Sequence, residues 1–296
     1  MSDFFSDAEA IDEMYRHIVE GPTSQARAAR RYANKLWQMT APYLDRDLTS
    51  KAPRQFHQTF WEMYLAAALL DLGLDLKRRE ARRFATRGPD IQIGDVTAWI
   101  EAVAVTKGAK ENAVPETEIG EGREVPHDRI KLRLLNGRSE KQRKYECYRK
   151  ADIVRSGEPC VIAINDGLVP SSRLDLSLPR IVSAVFPFGI PVVSINTVTE
   201  DVVESFHLYQ GEVRKNSGVT VPTTGFLSPK TAAVSAVLYG SADVFNHPAS
   251  RGLDFILVHN PCADHPLPRG LISRGLEYWQ EGAELRRVNH GAAQDA

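Results

Sequence analysis

The sequence predicts an α/β fold with a mixed central sheet flanked by helices, preceded by an N-terminal helical segment. Three observations carry this. A helix-forming run from Phe56 to Leu72 is followed by two short extended segments, 91–93 and 97–105. A long basic helix then leads into the continuously apolar "PCVIAIN" (159–165), which reads as a buried strand. The last third is rich in strands and punctuated by prolines, and helices interleaved with strands in this way build an α/β layout.

The elements follow in order. Residues 1–52 read as helical, with "SQARAARRYANKLWQM" the clearest amphipathic piece, and Pro53 sets a boundary between this segment and a domain spanning 53–296. "FHQTFWEMYLAAALLDL" is one helix of good formers ended by Gly73. Gly94-Asp95 supplies a turn between 91–93 and 97–105, which makes a hairpin. The stretch 106–127 is too rich in Gly, Pro and Glu for regular structure, and loops of this length in compact domains are usually functional or disordered. A helix follows from about Arg129 to Val154, with Gly137 a point where it could break. "IPVVSIN", "TAAVSAVLYGSADVF" and "GLDFILVHNP" supply further strands. No internal repeat or low-complexity tract interrupts this order.

Composition narrows the function classes. Apolar content of 43% and charged content of 25% are ordinary globular values. No apolar run approaches the ~20 residues that span a bilayer, and the acidic start lacks the pattern of a signal peptide. Three scattered cysteines, Cys147, Cys160 and Cys262, cannot form a disulfide framework, so a reducing, cytoplasmic setting is expected. The net charge of −1 is neutral on nucleic acid, but its distribution is not. "KRREARR" (77–83) and "RIKLRLLNGRSEKQRKYECYRK" (129–150) concentrate basic residues, as a phosphate-binding face requires; solvated helix faces are the plainer alternative.

Three carboxylates stand out. Glu101 lies inside the apolar run "WIEAVAV", and a buried acid must be paired, protonated or bound to a metal. Asp90, after Pro89, belongs to the neighbouring strand of the hairpin. Adjacent strands run ~4.8 Å apart, so two carboxylates at matched heights can share a hard cation. Glu62 is the single formal charge in the helix from Phe56 to Leu70. Plainer roles are a turn residue for Asp90, an arginine pair for Glu101 and a solvent-facing position for Glu62.

With Pro89-Asp90, Glu101-Ala102-Val103 and the upstream Glu62, the stretch from Phe56 to Asn165 resembles the PD-(D/E)XK nuclease superfamily, the fold of many restriction endonucleases. In that superfamily a helical acid precedes a hairpin bearing Pro-Asp and then an acid-x-Lys tripeptide. The resemblance implies a restriction-endonuclease-like core and a metal-dependent nuclease acting on nucleic acid, most readily DNA. It implies Mg²⁺, with Mn²⁺ as a substitute, held by Asp90 and Glu101 with help from Glu62. A homodimer is compatible with cutting both strands.

The departure is Val103, which stands where the superfamily has its lysine. Some members carry the lysine, or a glutamine, on the following helix. Lys107 shares the strand parity of Glu101 but lies roughly 20 Å along an extended chain. On the helix, Ile130, Leu134, Gly137, Lys141, Tyr145 and Tyr148 form a stripe that should face the sheet, with Lys141 its one charge. Lys141 is therefore the expected catalytic cation and Gln142 its neighbouring alternative. Arg129, Arg133, Arg138 and Lys144 are candidates for contacts to the nucleic-acid backbone.

The rival reading is a nuclease-like fold kept as a nucleic-acid-binding or assembly module without chemistry, which the valine at 103 supports. "HNPCADH" (259–265) has spacing that suits zinc but lacks a fourth nearby ligand, and Cys262 beside His259 has no triad partner.

Overall fold

A computed structural model of the chain describes residues 3–6, 9–84, 87–116, 120, 122, 124–174 and 178–291. Four helices come first: α1 (Glu13–Glu20), α2 (Ser24–Thr40), α3 (Leu48–Lys51) and α4 (Phe56–Asp71). Asp12 ties two of them together. Its Oδ1 accepts the Tyr15 N–H at 2.9 Å, capping α1, while its Oδ2 accepts the Phe56 N–H at 3.0 Å, at the start of α4.

The hairpin β1 (Ile91–Ile93) and β2 (Ala98–Ala104) follows, then α5 (His127–Lys150), β3 (Cys160–Asn165) and α6 (Arg180–Val185). Beyond these lie the hairpin β4 (Phe188–Ile195) and β5 (Val202–Tyr209), and the short pair β6 (Glu212–Arg214) and β7 (Thr220–Pro222). The chain closes with β8 (Ala236–Gly240), β9 (Ile256–His259), β10 (Leu276–Glu281) and β11 (Glu284–Asn289).

Seven strands form one sheet in the order β1-β2-β3-β8-β9-β10-β11. It is mixed: β2, β3 and β8 run parallel to one another and β9 runs parallel to β10, whereas β1–β2, β8–β9 and β10–β11 are antiparallel. The α/β class with a mixed central sheet is thus as the sequence predicts, and so are the 91–105 hairpin, the helix from Phe56 and the strand 160–165.

Strand period divides the core in two. Ile100 and Ala102 of β2 face α4, together with Ala163 of β3 and Leu238 of β8. Trp99 and Val103 face the other side with Ile162 and Val237, in the layer containing α5 and α6. The segment 1–52 does not stand apart from this architecture. Phe4, Tyr15, Leu36 and Leu48 share one apolar cluster with Phe56, Trp61 and Ile100.

Sandwiched between sheet and N-terminal helices, α4 is apolar all round, as a helix covered on every side must be. Trp61 donates its indole N–H to the Ala163 carbonyl at 3.1 Å, fixing α4 over β3. This is why Glu62 is buried, against the plainer expectation of a solvent-facing acid.

The helix α5 runs unbroken through Gly137. A Cβ there would lie 2.7 Å from Cγ1 of Val105 and 3.4 Å from Cγ1 of Val103, so glycine lets α5 cross close to β2. Its role is close approach and not interruption. The β4–β5 hairpin, by contrast, exposes apolar side chains on both faces, among them Ile190, Val203 and Tyr209.

Candidate active site

The site is built just before β1 begins, where β2 runs on without it. Pairing of Ile91 with Ile100 puts the preceding Asp90 opposite Glu101. The Pro89 carbonyl accepts from Nη1 of Arg79 at 3.1 Å and of Arg82 at 3.0 Å, which anchors the approach to the strand. Past this point β2 has no backbone neighbour on that edge, and side chains take over. Asp90 Oδ2 accepts the Ala102 N–H at 2.7 Å, and Gln58 Oε1 accepts the Ala104 N–H at 2.7 Å. Gln58 Nε2 donates to Glu62 Oε1 at 2.9 Å and reaches the Ala102 carbonyl at 3.3 Å. An acid and an amide thus satisfy edge groups that would otherwise be orphaned.

Glu101, 1% exposed, points toward α5. Its Oε1 accepts from Lys141 Nζ at 3.0 Å and from Lys144 Nζ at 2.9 Å, and Tyr148 Oη lies 3.4 Å from Oε2. The amphipathic stripe of α5 delivers these groups. Lys141 and Tyr145 are buried on it, Tyr145 Oη donating to the Trp99 and Val161 carbonyls at 3.0 and 2.8 Å. The buried ammonium beside Glu101 thus comes from α5 and not from β2, where Val103 stands.

Electrostatics single out the same groups. Burial and then the Glu101 carboxylate push Asp90 up to about 7. Burial, followed by Asp90, holds Glu62 well above the usual carboxylate range. Burial alone would lower Lys144, but Glu101 outweighs it and raises the ammonium. Both lysines are engaged with Glu101 Oε1, so Asp90 and Glu62 are left without an ion pair among the described residues and lean toward their neutral forms.

Asp90 and Glu101, opposite one another across the hairpin, are the donors this site could offer a divalent cation. Among the described residues no three of His, Cys, Asp and Glu gather as a ligand cluster. Asp90 and Glu101 alone would supply protein oxygens, with Glu62 in support, which suits Mg²⁺, an ion that keeps waters and substrate oxygens in its shell. Cation binding would draw Glu101 away from Lys144, whose side chain is 46% exposed and free to withdraw; Lys141, at 8%, stays.

The remaining expectations sort differently. Gln142 turns away from the carboxylates, donating to the Lys230 carbonyl at 2.9 Å and facing Glu146 at 3.4 Å, so it is no alternative to Lys141. Arg138 is 7% exposed and cannot serve as a surface contact. It is packed against Gly225, where a Cβ would lie 1.6 Å from its Nη1, and burial lowers it to about 10. Lys144 belongs to the carboxylate site. Arg129 and Arg133 are half-buried and hold the 106–127 loop, donating to the carbonyls of Ala113 (3.1 Å) and Thr106 (2.8 Å). Lys107 is engaged with Glu116, away from Glu101.

The "HNPCADH" residues disperse. His259 Nε2 pairs with Glu277 at 2.7 Å, while His265 Nε2 accepts the Gly157 N–H at 2.9 Å. Gln58 and Tyr148 are site residues that sequence reasoning missed. Gln58 had a signal, since it precedes Glu62 by one helical turn.

No protein-family model matches the chain, and no curated protein or solved structure matches it.

Proposed function

We propose that the protein is a metal-dependent nuclease with a restriction-endonuclease-like core, hydrolysing phosphodiester bonds in nucleic acid, with DNA the substrate we favour. The observation that carries the reading is the convergence of Asp90, at the start of β1, Glu101 of β2 and Lys141 of α5 on one cluster. Asp90 and Glu101 would hold Mg²⁺ or Mn²⁺, with Glu62 supporting them through its contact with Gln58. The ion, when bound, would polarise the phosphodiester and lower the pKa of an attacking water.

The chain's own groups have complementary roles. Lys141 carries a buried positive charge beside the position where charge builds on the phosphate, and such a preorganised cation stabilises that charge without reorganising. Lys144, being mobile and half in solvent, would trade Glu101 for a phosphate oxygen as substrate arrives. Asp90 stays fixed through the Ala102 N–H, so the metal-facing carboxylate keeps its orientation.

A second reading has one observation in its favour. Both lysines already bind Glu101 Oε1, as they would in a nuclease-like fold kept for nucleic-acid binding or assembly. A cleavage assay on plasmid and single-stranded DNA with Mg²⁺ or Mn²⁺ separates the two. Cleavage by the wild type, lost in both Glu101→Ala and Lys141→Ala, supports the enzyme. Binding of DNA without cleavage of either substrate supports the module.

A further inference from the structure

A cavity lies away from Asp90 and Glu101. The N-terminal turn of α5, the start of α6 and the base of the β4–β5 hairpin enclose about 850 Å³, the size of a small-molecule site. It sits where the connections leaving β2 and β3 come together, beyond the carboxyl ends of those strands, a common place for ligands in α/β sheets. Lys131, on its wall, precedes Lys141 by ten residues, roughly 15 Å along the helix axis.

Its walls are unlike one another. One side carries two buried cations, Lys131 at 6% and Arg180 at 2% exposure, with the exposed carboxylates of Glu124 and Asp128 at its rim. Arg180 is fixed by the Ser172 and Leu174 carbonyls, both at 2.8 Å, and by His127 Nδ1 at 3.3 Å. Burial, then Arg180 and Lys131, lower His127, so it stands neutral beside them. Lys131 donates to the Gln210 side chain, whose amide donates in turn to Asp128 Oδ1 at 3.0 Å, and it has no carboxylate within ion-pair distance among the described residues. A buried ammonium with one neutral acceptor calls for an anion.

The facing side is the hairpin base, with Pro191, Leu208 and Tyr209 as its apolar surface. His207 also lines this side, and its Nε2 is buried without a hydrogen-bond partner. An orphaned ring nitrogen beside the Tyr209 ring and the apolar Pro191 and Leu208 calls for a ligand with both a planar body and a polar edge. A simple anion would leave the apolar wall empty, and a fatty acid would leave His207 unpaired.

We propose that this cavity is a separate binding site for a nucleoside monophosphate, its phosphate at Lys131 and its base against Pro191, Leu208 and Tyr209, with a polar edge toward His207. The site does not depend on phosphodiester cleavage, so its test needs no activity.

Calorimetric titration of the full chain in EDTA tests it, using AMP, GMP, CMP and UMP, with inorganic phosphate and decanoate as comparison ligands. At least one of the nucleotides should bind one per chain, and phosphate about tenfold more weakly or worse. Lys131→Met should weaken the nucleotide by about tenfold or more, and His207→Ala should change the order of preference among the four bases. Asp90→Asn should bind as the wild type does. The proposal is overturned if none of the four nucleotides binds, if decanoate binds in their place, if Lys131→Met binds unchanged while retaining its fold by circular dichroism, or if Asp90→Asn abolishes binding.

Discussion

Lys141 Nζ lies 3.0 Å from Oε1 of Glu101, a residue forty positions earlier in the chain, and both side chains are almost wholly buried. A buried pair of this kind gains little net stability over an apolar one, because desolvating two charges offsets most of their attraction. Breaking it is another matter, since the surviving charge is left without a partner.

Glu101→Ala should therefore destabilise the fold by about 3–5 kcal/mol, the usual cost of orphaning a buried charge. Adding Lys141→Met to Glu101→Ala should recover much of that loss. Urea unfolding of the wild type, both single variants and the double variant measures the coupling directly.

Lys144→Ala should tighten the binding of Mg²⁺ or Mn²⁺. The ammonium competes for the same Glu101 oxygen that a cation would use, 2.9 Å away, and its removal leaves that oxygen less satisfied. Titration of the cation against each protein checks the direction. Weaker cation binding in Lys144→Ala would contradict the competition.

The pH dependence follows from Asp90. Its carboxyl in the folded state titrates at about 7, against ~3.9 in an unfolded chain. Between those values the folded state holds the extra proton, so this residue makes stability fall as pH rises from about 4 through about 7. In metal-free buffer Asp90→Asn should lessen that fall and be relatively more stable at pH 8 than at pH 5. Melting curves of both proteins across this range measure it.

Gly137→Ala should destabilise by about 1–3 kcal/mol, the range for forcing a methyl group into a packed contact. Helix propensity works the other way by about 1 kcal/mol, so the measured loss should be partly masked. The added Cβ, 2.7 Å from Val105, would push α5 off β2 and carry Lys141 with it. Cleavage by this variant should drop more than its stability does.

Much of this arrangement was legible in the sequence because it rests on local periodicity. The stripe through Ile130, Leu134, Lys141 and Tyr145 points one way on any α-helix, and an acid within "WIEAVA" is conspicuous on any buried strand. Arg138 was misread because arginine is usually a surface residue, and only the fold reveals that Gly225 clears a place for it inside. Gln142 is next to Lys141 in sequence but ~100° round the helix, which sends it toward Lys230.

What could not be read depends on distant pairing. Parallel alignment of β2, β3 and β8 is made by crossovers of different lengths, which no single window contains. The strand β5 is exposed on both faces, so burial leaves no alternation to detect, and β11 carries the charges of an edge strand. Gln58 became a site residue only because β1 begins no earlier than Ile91 and leaves the Ala104 N–H for a side chain to accept.

The most direct test of the account is whether Asp90 and Glu101 hold a divalent cation. Mn²⁺ should be titrated into the wild type, Asp90→Asn and Glu101→Gln, with binding read by electron paramagnetic resonance and melting temperature followed in parallel. The account predicts saturable binding by the wild type, a rise in its melting temperature, and loss of both effects in each folded variant. Wild-type protein that binds no Mn²⁺, or an Asp90→Asn variant that binds it equally well, would contradict it.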